Sequence, residues 1–136
     1  KPGSDELHDL GDDDQTEDIP GLVAYRFYGP LIFANVTYFM ERLQGFIDRE
    51  EQPVRKVIID ARAIPSVDFT AMEKLRPFFQ KLRDQGIELA LARAHLPLRE
   101  VQLNTGMEPI FSEDDIFVRV SDAVRAFNEH QENKHQ

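Results

Sequence analysis

Residues 56–73 read KVIIDARAIPSVDFTAME. Three consecutive β-branched residues, Val57 to Ile59, predict a strand buried on both faces, the pattern of a parallel sheet. The strand covers 56–61 and is followed by a loop, 62–68 (RAIPSVD). A helix comes next, with Met72, Leu75, Phe79 and Leu82 on one apolar face. Thr70 and Glu73 match a capping box, in which each side chain satisfies the other residue's orphan backbone N–H. Asp68 sets negative charge near the positive end of the same helix.

The pattern continues on both sides. Toward the C-terminus, Gly86 ends the helix as a natural C′ residue, and 87–92 (IELALA) form another buried strand. Residues 97–105 read as a short helix opened by Pro97 and closed by Gly106. Ile116, Val118 and Val120 alternate as a last strand, and Ser121 caps a final helix with Ala123, Val124 and Phe127 inward. Toward the N-terminus, 22–28 (LVAYRFY) and 31–33 (LIF) read as two strands joined in a hairpin around Tyr28-Gly29-Pro30-Leu31. Asn35 then caps a helix whose apolar face carries Val36, Phe39, Met40, Leu43, Phe46 and Ile47 and which ends near Glu51, before Pro53. The sum is an α/β fold: a mixed, mostly parallel sheet flanked by about four helices. Pro77 conflicts with this pattern. It crowds the carbonyl of Glu73 at a cost of ~3 kcal/mol in an ideal helix, so a kink or restart is expected there.

The 136 residues suit one domain, and 41% hydrophobic content suffices for one core. The net charge of −9 is concentrated. Residues 1–18 carry eight acids against Lys1 alone, and the remainder is near neutral. The expected division is an acidic flexible leader (1–18), a folded domain (19–128) and a polar C-terminal tail (129–136). The chain opens at Lys1 and reads as an excised piece of a longer protein. No apolar run approaches the ~20 residues of a membrane helix. No basic face suggests nucleic acid.

Reactive chemistry is sparse. The absence of cysteine removes disulfides and thiolate sites. Of the four histidines, His8, His130 and His135 fall in the expected tails, and His95 reads as a solvated loop residue. No zinc-protease, nucleophile-elbow or phosphate-loop motif is present. The Asp12-Asp13-Asp14 run lacks the spacing of a calcium loop. Asp60 ends a central strand, where open α/β sheets place ligands, but it has no partner acid or nucleophile near in sequence. Its expected role is to bond loop amides. The chain therefore reads as a non-enzymatic module without cofactor or metal. Its candidate regulatory and docking loop is Asp68, Phe69, Thr70 and Ala71.

One resemblance is specific. Ile19-Pro20-Gly21-Leu22-Val23, Tyr25-Arg26 and residues 30–35 (PLIFAN) resemble the opening of the STAS domain of SulP-type (SLC26-like) anion transporters. Val67-Asp68-Phe69-Thr70-Ala71 is similar to that family's D-x-T/S-A/G signature, and 86–93 (GIELALAR), Leu98-Arg99 and Gly106 fit the next strand and helix. The match covers about residues 19–127. It implies a fold like that of anti-sigma-factor antagonists, which are switched by phosphorylation of a serine just after the motif aspartate. That position is Phe69 here, which has no hydroxyl, and Thr70 matches the residue after it.

The resemblance thus implies a regulatory and assembly domain at the cytoplasmic face of the membrane, C-terminal in a transporter for sulfate, bicarbonate or a related anion. It implies the transporter's own membrane part as partner. It also permits a second copy of the domain, an acyl carrier protein or a nucleotide. Two other readings compete. One is a stand-alone anti-sigma-factor antagonist. The other is a nucleotide- or metabolite-sensing module that uses the strand ends near Asp60 and the helix start at Thr70.

Overall fold

A computed structural model describes residues 19–95 and 109–134. Four strands form the sheet: β1 (Leu22–Arg26), β2 (Lys56–Asp60), β3 (Glu88–Ala92) and β4 (Ile116–Phe117). They lie in sequence order and all pair in parallel. Leu22 stands opposite Lys56, and Lys56 opposite Glu88. Three helices connect or follow them: α1 (Phe33–Arg49), α2 (Phe69–Asp84) and α3 (Val120–Lys134). The expected helix at 97–105 lies outside the described residues.

Side-chain alternation assigns each helix to a face. Val23, Tyr25, Val57, Ile59, Leu89 and Leu91 point into the larger core with α1 and α2. Ile58, Ala90 and Ala92 point the other way, against Val120, Ala123 and Val124 of α3. Every residue of β2 is buried, as its β-branched run requires of a strand covered on both sides. The larger core is aromatic. The Phe39 ring lies 5.3 Å from both Tyr25 and Phe27 and 6.5 Å from Phe79, in edge-to-face geometries.

Several expectations change. Residues 31–33 do not form a strand that folds back on β1. Gly29, at φ +104°, donates to Ala63 O at 2.8 Å, and Leu31 forms an isolated parallel bridge with Val67. Only Leu31 and Ile32 are extended, with the 63–68 loop as partner, while Phe33 already opens α1. Hence the described sheet is wholly parallel.

Asn35 sits in the first turn of α1, and Ile32 occupies the N-cap position. The Asn35 amide reaches back instead. Its Oδ1 accepts from Ile32 N–H at 2.9 Å, and its Nδ2 donates to Pro30 O at 2.8 Å. The final strand stops at Phe117; Val118 is exposed and Val120 already belongs to α3, so Ser121 is not its cap. Helix α3 runs to Lys134, past the boundary placed at 128. Arg55 Nη1 donates to Gln131 Oε1 at 2.6 Å, and His130 Nε2 lies 3.7 Å from Glu88 Oε2, which ties that segment to the body. Helix α2 continues across Pro77. Both Pro77 and Glu73 are exposed, so the carbonyl that loses its donor faces water.

Replacement Phe39→Ala removes the ring at the centre of this cluster. It is expected to cost about 3–5 kcal/mol in urea-monitored unfolding. A loss under about 1 kcal/mol would mean that the rings are not load-sharing.

Candidate functional site

The loop before α2 is fixed by its own backbone. Leu31 N–H donates to Ser66 O, and Asp68 N–H donates to Leu31 O, both at 2.9 Å. The start of α1 is thereby held beside the start of α2. Asp68, rather than Thr70, is the N-cap of α2: its Oδ1 accepts from Ala71 N–H at 2.8 Å and from the Thr70 hydroxyl at 3.0 Å. Glu73 is exposed and is not the reciprocal partner in that cap, because the helix begins at Phe69. Sequence spacing favoured the Thr70–Glu73 pair, but an aspartate whose carboxylate meets two donors at once is the stronger cap.

The Ala71 N–H holds the Asp68 carboxyl below the ordinary aspartate range. Partial desolvation opposes this, and the Thr70 hydroxyl and the Phe33 N–H reinforce it.

The four candidate residues therefore divide. Ala71 is buried and packs in the core. Asp68 and Thr70 are engaged with each other and with the helix start. Phe69 points out, with 61% of its surface exposed. Sequence reasoning missed its neighbours. Phe33 is 64% exposed at the start of α1, with Lys74 Nζ 5.5 Å from its ring centroid, and Ile32 is exposed before it. Two exposed phenylalanines thus stand at neighbouring helix starts, Phe69 next to Asp68 and Phe33 beside Lys74. Exposed aromatic residues grouped in this way are the usual mark of a contact surface.

A second polar cluster sits at the C-terminal edge of the sheet. Asp60 is fully buried. Its Oδ1 accepts from Arg62 N–H and Arg93 Nε, each at 3.1 Å, and its Oδ2 accepts from Arg93 Nη2 at 2.7 Å. The loop amide matches the structural role expected of this acid; the bidentate arginine was not foreseen. Arg93 adopts φ +58°, in the left-handed region. Exposed His95 sits beside this edge, with Nε2 2.6 Å from Arg62 O. Among the described residues, no group of three or more histidine and acidic side chains is placed to hold a metal ion. No described helix is long and apolar enough to cross a membrane.

Comparison with known proteins adds the following. The family model described as "STAS domain" matches residues 14–123. A probable sulfate transporter of Mycobacterium tuberculosis is 35% identical over 126 residues, which cover 93% of this chain and 22% of that protein. The chloroplastic sulfate transporter 4.1 of Arabidopsis thaliana is 27% identical over 114 residues, 77% of this chain and 17% of that one. The chain thus spans about a fifth of the length of these relatives. The fold is similar to that of the SulP transporter STAS domain from Vibrio cholerae, with TM-score 0.69, 19% identity and 96% of each chain covered. It is also similar to part of the murine Slc26a9 anion transporter, with TM-score 0.75, 18% identity, and 83% of this chain and 18% of that chain covered.

Two measurements follow from the geometry. A carboxyl whose folded pKa is depressed stabilises the fold fully above the ordinary aspartate range, and that contribution is lost as pH falls through the folded value. Carbon NMR should therefore find Asp68 titrating below a model aspartate, and Asp68→Asn should flatten the acid-side fall in stability. Separately, Asp60→Ala leaves buried arginine charge without its carboxylate. It is expected to destabilise the protein by about 3–5 kcal/mol in denaturant titration.

Proposed function

The chain belongs to the STAS domain family, and we propose that it acts as the non-enzymatic regulatory and assembly domain of a SulP-type anion transporter. In this reading it lies at the cytoplasmic face of the membrane, with the transporter's membrane-spanning part as its partner. Support comes from relatives named as sulfate transporters, which extend far beyond the matched segment. The anion carried is sulfate, bicarbonate or a related species, and its selection belongs to the membrane part.

One observation carries the contact role: Phe33 and Phe69 are both exposed at the starts of two helices that the Leu31–Val67 bridge and the Asp68 cap hold in place. A surface fixed before binding loses little further entropy on contact. The docking loop is Asp68 to Ala71, with Phe69 as the touching residue and the other three as its frame. A second copy of the domain, an acyl carrier protein and a nucleotide are further partners that the family resemblance permits.

The anti-sigma-factor antagonist reading is weaker on the chain's own residues. Phe69 stands where that branch carries its phosphorylated serine, and the Thr70 hydroxyl is already bonded to Asp68. Incubation with ATP and a cognate kinase, followed by mass spectrometry, separates the two readings; stoichiometric phosphate on Thr70 would favour the antagonist.

The direct test pairs Phe33→Ala with Phe69→Ala. Both side chains are exposed, so far-UV circular dichroism should match that of the parent chain. Association with the membrane part of the parent transporter should weaken by about 10-fold or more. Unchanged association would remove these two residues as the contact surface.

A further inference from the structure

We propose that the C-terminal edge of the sheet binds a small oxyanion of the sulfate, phosphate or carboxylate type, seated against the Arg26 guanidinium. Arg26 is the last residue of β1 and is 92% buried, yet its Nε and Nη1 have no hydrogen-bond partner among the described residues. Asp60 is the one carboxylate within ion-pair distance of it among the described residues. Its Oδ2 lies 3.8 Å from Arg26 Nε, too far for a hydrogen bond. That carboxylate is already taken by the bidentate Arg93 and the Arg62 amide. Asp60 Oδ2 therefore lies within 4 Å of two guanidinium groups, and it is hydrogen-bonded to Arg93. Buried cations are otherwise paired, and an unsatisfied buried donor calls for an acceptor such as an ion or water.

The surroundings favour an anion over water alone. Arg62, exposed, opens the loop directly beyond β2 and adds a third cation to the edge. Helix α3 begins here: Val120 packs with Ile58 and Ala92, so the positive end of its dipole faces the same edge. Asp122, the acid in its first turn, is paired with Arg125 at 3.2 Å. The Tyr28 ring lies 5.2 Å from the Arg26 guanidinium carbon and is half exposed. The chain as a whole carries −9, so this edge is a local inversion of its charge. The site is independent of Phe33 and Phe69 and of the partner assigned to them.

The test is proton–nitrogen NMR of the full chain during addition of sodium sulfate, phosphate or acetate, against sodium chloride at matched ionic strength. A saturable shift of the Arg26 Nε–H resonance, with the Arg62 and Arg93 amides following, is expected for at least one oxyanion and not for chloride. Which of the three saturates first identifies the oxyanion type. Arg26→Gln should abolish the response, and Arg26→Lys should raise the apparent Kd about 10-fold by losing the planar fork. Absence of any saturable shift in the parent chain would overturn the proposal and assign the donors to water. Equal shifts in the Arg26→Gln protein would overturn it as well.

Discussion

The parallel contact of Leu31 with Val67 is the constraint on which the site depends. Two hydrogen bonds of 2.9 Å, Leu31 N–H to Ser66 O and Asp68 N–H to Leu31 O, bring two remote loops into register. Everything at that end follows. The Ala71 N–H and the Thr70 hydroxyl converge on the Asp68 carboxylate beside the start of α1. Phe33 and Phe69 are then the residues left facing out. Ile64 and Val67 are buried beneath the same contact, so the loop is anchored by packing as well as by backbone pairing.

The sheet divides the molecule into unequal halves, and the two halves do different work. On one side, α1 and α2 cover an aromatic core large enough to hold the fold. On the other, α3 closes a smaller core of Ile58, Ala90, Ala92, Val120, Ala123 and Val124. Small residues in β3 let α3 approach closely there. The same face ends in Arg26 and Asp60, beyond the last apolar layer. Charge thus appears where the apolar layers stop, with Asp60 held by Arg93 and the Arg62 amide.

Much of this was legible in the chain, and the failures have physical reasons. The β-branched run at Val57–Ile59 and the helical spacing of Met72, Leu75, Phe79 and Leu82 carry short-range periodicity, which burial then enforces. Pairing partners are not local. Leu31 and Ile32 look extended whether the chain turns back on β1 or meets the 63–68 loop, and only the tertiary fold decides. The cap of α2 was misplaced by two residues because both Asp68 and Thr70 have suitable side chains, and only the bonds made distinguish them. The family signature pointed to the Asp68–Ala71 loop, but Phe33 was absent from it because α1 lies far away in sequence. The arginine cluster was hidden for the same reason. Arg26, Arg62 and Arg93 each stand at or just beyond the end of a strand, a coincidence visible only once those strands are known to be parallel neighbours.

Strand order has a kinetic corollary. Neighbouring strands are consecutive in the chain yet parallel, so no tight turn can start the sheet. Leu22 meets Lys56, and Lys56 meets Glu88, only after loops of about thirty residues close. The helices between them have local contacts and can form early, while the sheet waits for distant partners. During that delay, the apolar residues of β2 lie uncovered on both faces. A newly made chain is therefore most vulnerable to aggregation through the Val57–Ile59 segment until α1 and α3 have docked on opposite sides of it.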